Sequence, residues 1–209
     1  MIPAKRDKKR RLQKVDRRDA WQRVAAATGG RFVEGKHPAK DKVIVSHDPW
    51  DVWLDTYTVN TGQTSVTYTR VRTYFMGWRD LTIMVRRRNF LDRILEALGF
   101  SSRPPLNRAL TDKYVIKGKP LPRVPSFFSG SHLGEAIMVV PSLRLEIKKP
   151  GWKMRKKYGA AAGVVVCRTT GVITEHERLV GMIEVVKEAL RGLMRVGEAN
   201  GQALPKTGS

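Results

Sequence analysis

The chain has 209 residues, 41% of them apolar and five of them tryptophan, which is enough for a real core and excludes wholesale disorder. It carries 40 Lys and Arg against 19 Asp and Glu, a formal net charge of +21, so the compact form repels itself and attracts polyanions. A single cysteine, Cys167, excludes an internal disulfide and most zinc sites. No run of about 18 uncharged apolar residues occurs, the first residues show no apolar run of the secretory kind, and a cytoplasmic setting is expected.

The charge is clustered. Residues 1–20 hold nine bases and three acids, residues 70–93 seven and two, residues 144–157 seven and one. Residues 1–15 lack apolar periodicity and read as a flexible basic arm, with Lys5, Arg6, Lys8, Lys9, Arg10 and Arg11 as candidate phosphate grips. A first lobe is expected over 16–100. It opens on a helix capped by Asp16, with Trp21, Val24, Ala25 and Thr28 on one face and Gly29-Gly30 as its stop. Residues 31–35 and 42–46 read as strands.

Residues 50–75, rich in Val, Thr, Trp and Tyr around Asn60-Thr61-Gly62-Gln63, predict a long β-hairpin, and the other elements are placed around it. Pairing Val59 with Thr64 sets Asp55 opposite Tyr68, Trp53 opposite Arg70 and Asp51 opposite Arg72. One face then carries Asp51, Trp53, Asp55, Tyr57, Tyr68, Arg70 and Arg72, either a structural ladder or a ligand platform of stacking rings and anion-reading arginines. Asp51 and Asp55 share that face but lie roughly 13 Å apart along the strand, too far for one metal ion or one paired-carboxylate site. Residues 81–88 predict a further strand, with Arg86 and Arg88 on the side of Arg70 and Arg72. Residues 91–99 predict a short helix with Leu91, Ile94, Leu95 and Leu98 inward and Gly99 as its end.

Ser101-Ser102-Arg103-Pro104-Pro105 is the clearest punctuation, and a linker is expected over 101–111. A second, smaller α/β lobe follows over 112–200. It contains a strand at 113–117, a helix entered at Pro122 and running through Phe127 and Phe128, and a strand at 143–148 with Leu143, Leu145 and Ile147 inward. Residues 148–158 read as a loop in which Lys148, Lys149, Lys153, Arg155, Lys156 and Lys157 alternate with Trp152, Met154 and Tyr158; cations hold phosphates while rings stack on unpaired bases. Residues 163–168 are a buried strand. Thr174-Glu175-His176-Glu177 matches a capping box, followed by the stripe Leu179, Ile183, Val186, Leu190 and Leu193 and a stop at Gly197. Residues 201–209 read as a disordered tail.

The fold class expected is α+β: an antiparallel sheet around the hairpin, a second lobe, and a long C-terminal helix packed on the sheet. His37, His47, His132 and His176 have no metal-ligand spacing, Cys167 sits in an apolar strand, and no phosphate-binding glycine loop occurs. No cofactor, metal or catalytic residue is therefore assigned. The expected function is non-enzymatic binding of a polyanion, nucleic acid first, through the arm and residues 148–157. The alternatives are a peripheral contact with anionic membrane, and a small-molecule sensor or enzyme using Asp55, Tyr57, Tyr68, Arg70 and Arg72. LDTYTV and TYTRVR, DKYVIKG, and GVITEHERL before a long helix resemble an uncharacterised bacterial family of cytosolic α+β proteins over about 18–200. That resemblance implies the fold class and the compartment and no mechanism.

Overall fold

The computed structural model describes residues 16–98, 105–202 and 204; the expected arm at 1–15, with its six candidate cations, lies outside them, as do Gly99 and residues 205–209. A helix α1 over 16–27 precedes strands β1 (Arg31–Val33), β2 (Lys42–His47), β3 (Trp50–Asn60), β4 (Ser65–Met76) and β5 (Thr82–Arg87). Helices α2 (Phe90–Ala97) and α3 (Arg108–Lys113) lead to β6 (Tyr114–Lys119), α4 (Arg123–Phe128) and α5 (Leu133–Val139). The chain closes with β7 (Arg144–Lys148), α6 (Trp152–Tyr158), β8 (Ala162–Thr170) and α7 (His176–Arg195).

All eight strands form one antiparallel sheet in the order β1-β2-β3-β4-β8-β7-β5-β6. The α+β class and the helix closing on the sheet are as expected. The linker at 101–111 does not divide the sheet: β4 before it pairs with β8 after it, and β5 pairs with both β6 and β7.

Strand alternation sorts the side chains. Val43, Val45, Val52, Leu54, Val71, Phe75, Ile83, Val85, Leu145, Ile147, Val165 and Cys167 all enter one core. α7 lies over β3, β4 and β8 and against α4 and α5, with Leu179, Ile183, Val186, Leu190 and Leu193 fully buried. Close approach is built in: a Cβ on Gly163 would meet the Phe75 ring at 2.2 Å, and one on Gly192 would meet the Phe127 carbonyl oxygen at 2.9 Å. α1 buries Trp21, whose Nε1 donates to the Ile173 carbonyl at 3.1 Å, and Arg17 and Arg18 hold the fully buried Asp41. Burial alone would raise the Asp41 carboxyl, but Arg18, the Gly35 amide and Arg17 outweigh it and keep it below the usual range.

Four expectations are corrected. The hairpin pairs Val59 with Val66, two residues from the expected register, because Thr61 to Thr64 form the turn and the Thr61 amide donates to the Thr64 carbonyl at 2.9 Å. A shift of two leaves the faces intact and changes the partners, so Asp55 faces Arg70 and Trp53 faces Arg72. Residues 152–158 are helical, because Lys, Met and Arg between Gly151 and Gly159 are good helix formers. α7 starts at His176 with Glu175 as its N-cap and no side-chain cap, so the capping box is not made. Finally, α2 buries nothing: Leu91, Ile94, Leu95 and Leu98 are exposed, because the side facing the body is held by Asp92 to Arg86 and Glu96 to Arg88.

Candidate functional site

The helices of the core cover one face of the sheet and leave the other open. On that open face the register sets Asp55, Arg70, Arg168, Arg144 and Arg86 side by side on β3, β4, β8, β7 and β5. Four arginines thus occupy one row across adjacent strands, spanning about 14 Å at the usual strand spacing. The neighbouring row runs Trp53, Arg72, Val166, Glu146, Met84 and Lys117. Like charges directly opposite one another destabilise a sheet, so this row is costly unless carboxylates or a ligand offset it.

Carboxylates offset part of it. Asp55 accepts from Arg70 Nε at 2.7 Å and Nη2 at 2.9 Å, and from Arg72 Nη2 at 2.9 Å. Glu146 accepts from Arg144 Nε at 2.6 Å and from Lys148, and lies 3.6 Å from Arg168. Burial tends to raise the Glu146 carboxyl, but Lys148 and Arg144 prevail and hold it ionised below its ordinary range. Asp92 takes Arg86 at 2.5 and 2.6 Å, and that guanidinium draws it down to about 2. Arg70, Arg72, Arg86, Arg144, Lys148 and Arg168 therefore share Asp55, Glu146 and Asp92, and a positive surplus remains.

Rings line the same surface. Tyr57 and Tyr68 stack at 5.2 Å and 18°, with Arg70 over Tyr57 at 4.5 Å and Arg168 over Tyr68 at 5.3 Å. Arg168 also donates to the Tyr57 hydroxyl at 2.6 Å. Tyr74 touches Trp53 and, at 5.7 Å, Tyr158 of α6. That contact seats α6 at one end of the open face, while Asp92 seats α2 at the other. The ends are opposite because β7 and β5, which lead into these helices, are antiparallel.

α6 carries Lys153, Arg155, Lys156 and Lys157, with Trp152 64% exposed; three of its cations lie in the last turn, where the helix dipole favours positive charge. With Lys149, which lies over Trp78 at 5.1 Å, they form no ion pair with a described residue. On the same face, over β5, β6 and β7, a hollow of about 310 Å³ is lined by residues that include Met84, Lys117, Lys119, Glu146 and Lys148.

Two sets of residues that the sequence keeps apart, the hairpin face and 148–157, thus belong to one continuous surface. Asp55, not Asp51, takes both guanidiniums of the hairpin. The sequence reading assigned no role to Arg144, Arg168 or Glu146. Alternation could have found them, since Leu143, Leu145 and Ile147 inward put Arg144, Glu146 and Lys148 outward. Cys167 is fully buried and its thiol is pushed up to about 12 by burial, so it is no nucleophile. Among the described residues no group of His, Cys, Asp and Glu could hold a metal ion, and no helix is long and apolar enough to cross a membrane. Asp55, Tyr57, Tyr68, Arg70 and Arg72 line neither the hollow on this face nor those beside α3 and α5. No family model, no curated protein and no solved structure matches the chain.

Proposed function

We propose that the open sheet face and α6 bind a polyanion, single-stranded nucleic acid in particular, without catalysing a reaction. The observation that carries this reading is the row Arg70, Arg168, Arg144 and Arg86 on adjacent strands, flanked by the Tyr57–Tyr68 pair. Guanidinium forks match phosphate oxygens, and each fork here keeps N–H donors beyond those given to carboxylates. An exposed ring takes unpaired bases, which a duplex does not offer, so Trp152 favours a single strand. The cations of α6 add phosphate contacts at the edge. The resemblance to a cytosolic α+β family remains an expectation about compartment alone.

Fluorescence anisotropy with labelled single-stranded RNA and DNA at two salt concentrations tests the reading. Affinity falls steeply with salt, and Arg144→Gln with Arg168→Gln lowers the salt slope by about one per lost phosphate contact. Trp152→Ala weakens single strands more than duplex. Equal binding by wild type and the double variant, or none by either, rejects it.

A further inference from the structure

α2 is an amphipathic helix turned inside out. Its polar side meets the body: Asn89 and Asp92 form a capping box, Arg86 grips Asp92, and Arg88 pairs with Glu96 while donating to the Thr111 carbonyl at 2.8 Å. Its apolar side meets none of the core. Phe90 is 74% exposed, Leu91 65% and Leu98 63%, with Leu95 and Ile94 beside them. Two ion pairs and a cap fix this orientation, so the outward stripe is a property of the fold.

Directly beside it lies a hollow of about 320 Å³ whose wall includes Arg87, Arg88, Arg93 and Lys113 against the single acid Asp112. Arg93 belongs to α2 itself, so apolar stripe and basic hollow share a border. Ser142 stands on the rim at φ 57, a left-handed conformation unusual for a non-glycine residue. Arg87, Arg93 and Lys113 form no ion pair with a described residue.

We infer that α2 and this hollow dock the protein on an anionic phospholipid surface, the stripe entering the interface and the hollow taking a phosphate headgroup. An eight-residue helix is only about 12 Å long, too short to supply the roughly 800 Å² per partner of a stable protein interface. A short apolar stripe rimmed by cations is what interfacial binding to acidic lipid needs. The surface is separate from the arginine row. It meets that row only at Arg86, and the side chains that carry it take no part in the proposed nucleic-acid contacts.

The test is co-sedimentation of the full chain with phosphatidylcholine vesicles with and without phosphatidylglycerol. It is run at an ionic strength of about 0.15 M, where a screening length of about 8 Å mutes the distant part of the net charge of +21 while cations in contact with a headgroup still act. Leu91→Gln with Leu95→Gln keeps a helix-favouring, exposed pair and is expected to weaken binding by at least about tenfold with thermal unfolding unchanged. Arg87→Gln with Arg93→Gln loses the preference for phosphatidylglycerol. Leu95→Cys carrying a polarity-sensitive dye shifts to the blue on these vesicles, and the buried Cys167 leaves the label at position 95 alone. Sedimentation of the leucine variant equal to wild type, or a dye that does not shift, overturns the inference. So does sedimentation velocity without lipid in which wild type self-associates and the leucine variant does not, since the occupant is then a second copy. RNA binding by the leucine variant equals wild type, which separates this result from the fate of the nucleic-acid reading.

Discussion

α7 and α2 carry the same signal, an apolar stripe at helical spacing, and put it to opposite use. α7 buries Leu179, Ile183, Val186, Leu190 and Leu193 completely, and its glycines let α4 and α5 approach: a Cβ on Gly181 would meet Val140 at 2.9 Å. α2 buries no residue, although its stripe is at least as regular. The difference lies in what stands opposite. α7 follows β8, the strand next to β4, and crosses an apolar sheet face. α2 follows β5 at one end of the open face, where its acids meet Arg86 and Arg88, so its acids turn inward and its leucines turn out. Periodicity states that a helix has a face; the neighbour decides what that face meets.

The comparison breaks most easily at the buried leucines. Leu190→Ala in α7 is expected to cost about 2–5 kcal/mol, read from the urea midpoint at unchanged slope. Leu95→Ala in α2 is expected to stay within about 0.5 kcal/mol. Equal costs would mean that α2 packs as α7 does. Gly192→Ala sharpens the contrast, because its Cβ meets the Phe127 carbonyl oxygen; a loss of about 1–3 kcal/mol is expected although alanine is the better helix former.

The anchor of α2 titrates. Asp92 lies at about 2 when folded, below its ordinary 3.8, so its contribution is complete above the ordinary value and is lost as pH falls through 2. Protection factors of residues 90–98, taken against the intrinsic exchange rate at each pH, should fall on acidification from pH 4 toward 2. Asp92→Asn should abolish that dependence and cost about 0.5–2 kcal/mol through the cap. Smallest of all, Thr174→Ala should change stability by less than about 0.5 kcal/mol, because the Thr174 hydroxyl does not cap α7. A loss near 1 kcal/mol in thermal unfolding would restore the capping box.

What was legible in the sequence was mostly periodicity of two. Alternation in 50–75 assigned Trp53, Asp55, Tyr57, Tyr68, Arg70 and Arg72 to one face even though the register was two residues out, since an even shift preserves sides. The row across the sheet was not legible. It depends on β8 lying between β4 and β7, and nothing local in Gly163 to Arg168 says which strands flank it. The helix at 152–158 was not legible, because a dense run of cations suits a solvated loop as well as a helix, while Lys, Met and Arg also favour helical backbone. Clustered cations were legible as clusters. That Arg86 and Arg144 should be neighbours required the pairing of β5 with β7.

That late placement of β8 bears on how the polypeptide matures. Residues 162–170 are translated after every other strand yet sit between two of them, so β4 and β7 both wait for a partner. A ribosome paused before Ala162 holds two partial sheets, each with an open edge of unpaired amides and carbonyls, the kind of edge that templates pairing with another chain. Joining them closes contacts distant in sequence, Arg70 with Arg168 among them, and such topologies fold slowly. The same insertion that completes the arginine row thus leaves the nascent protein with two bare edges until its last strand is made.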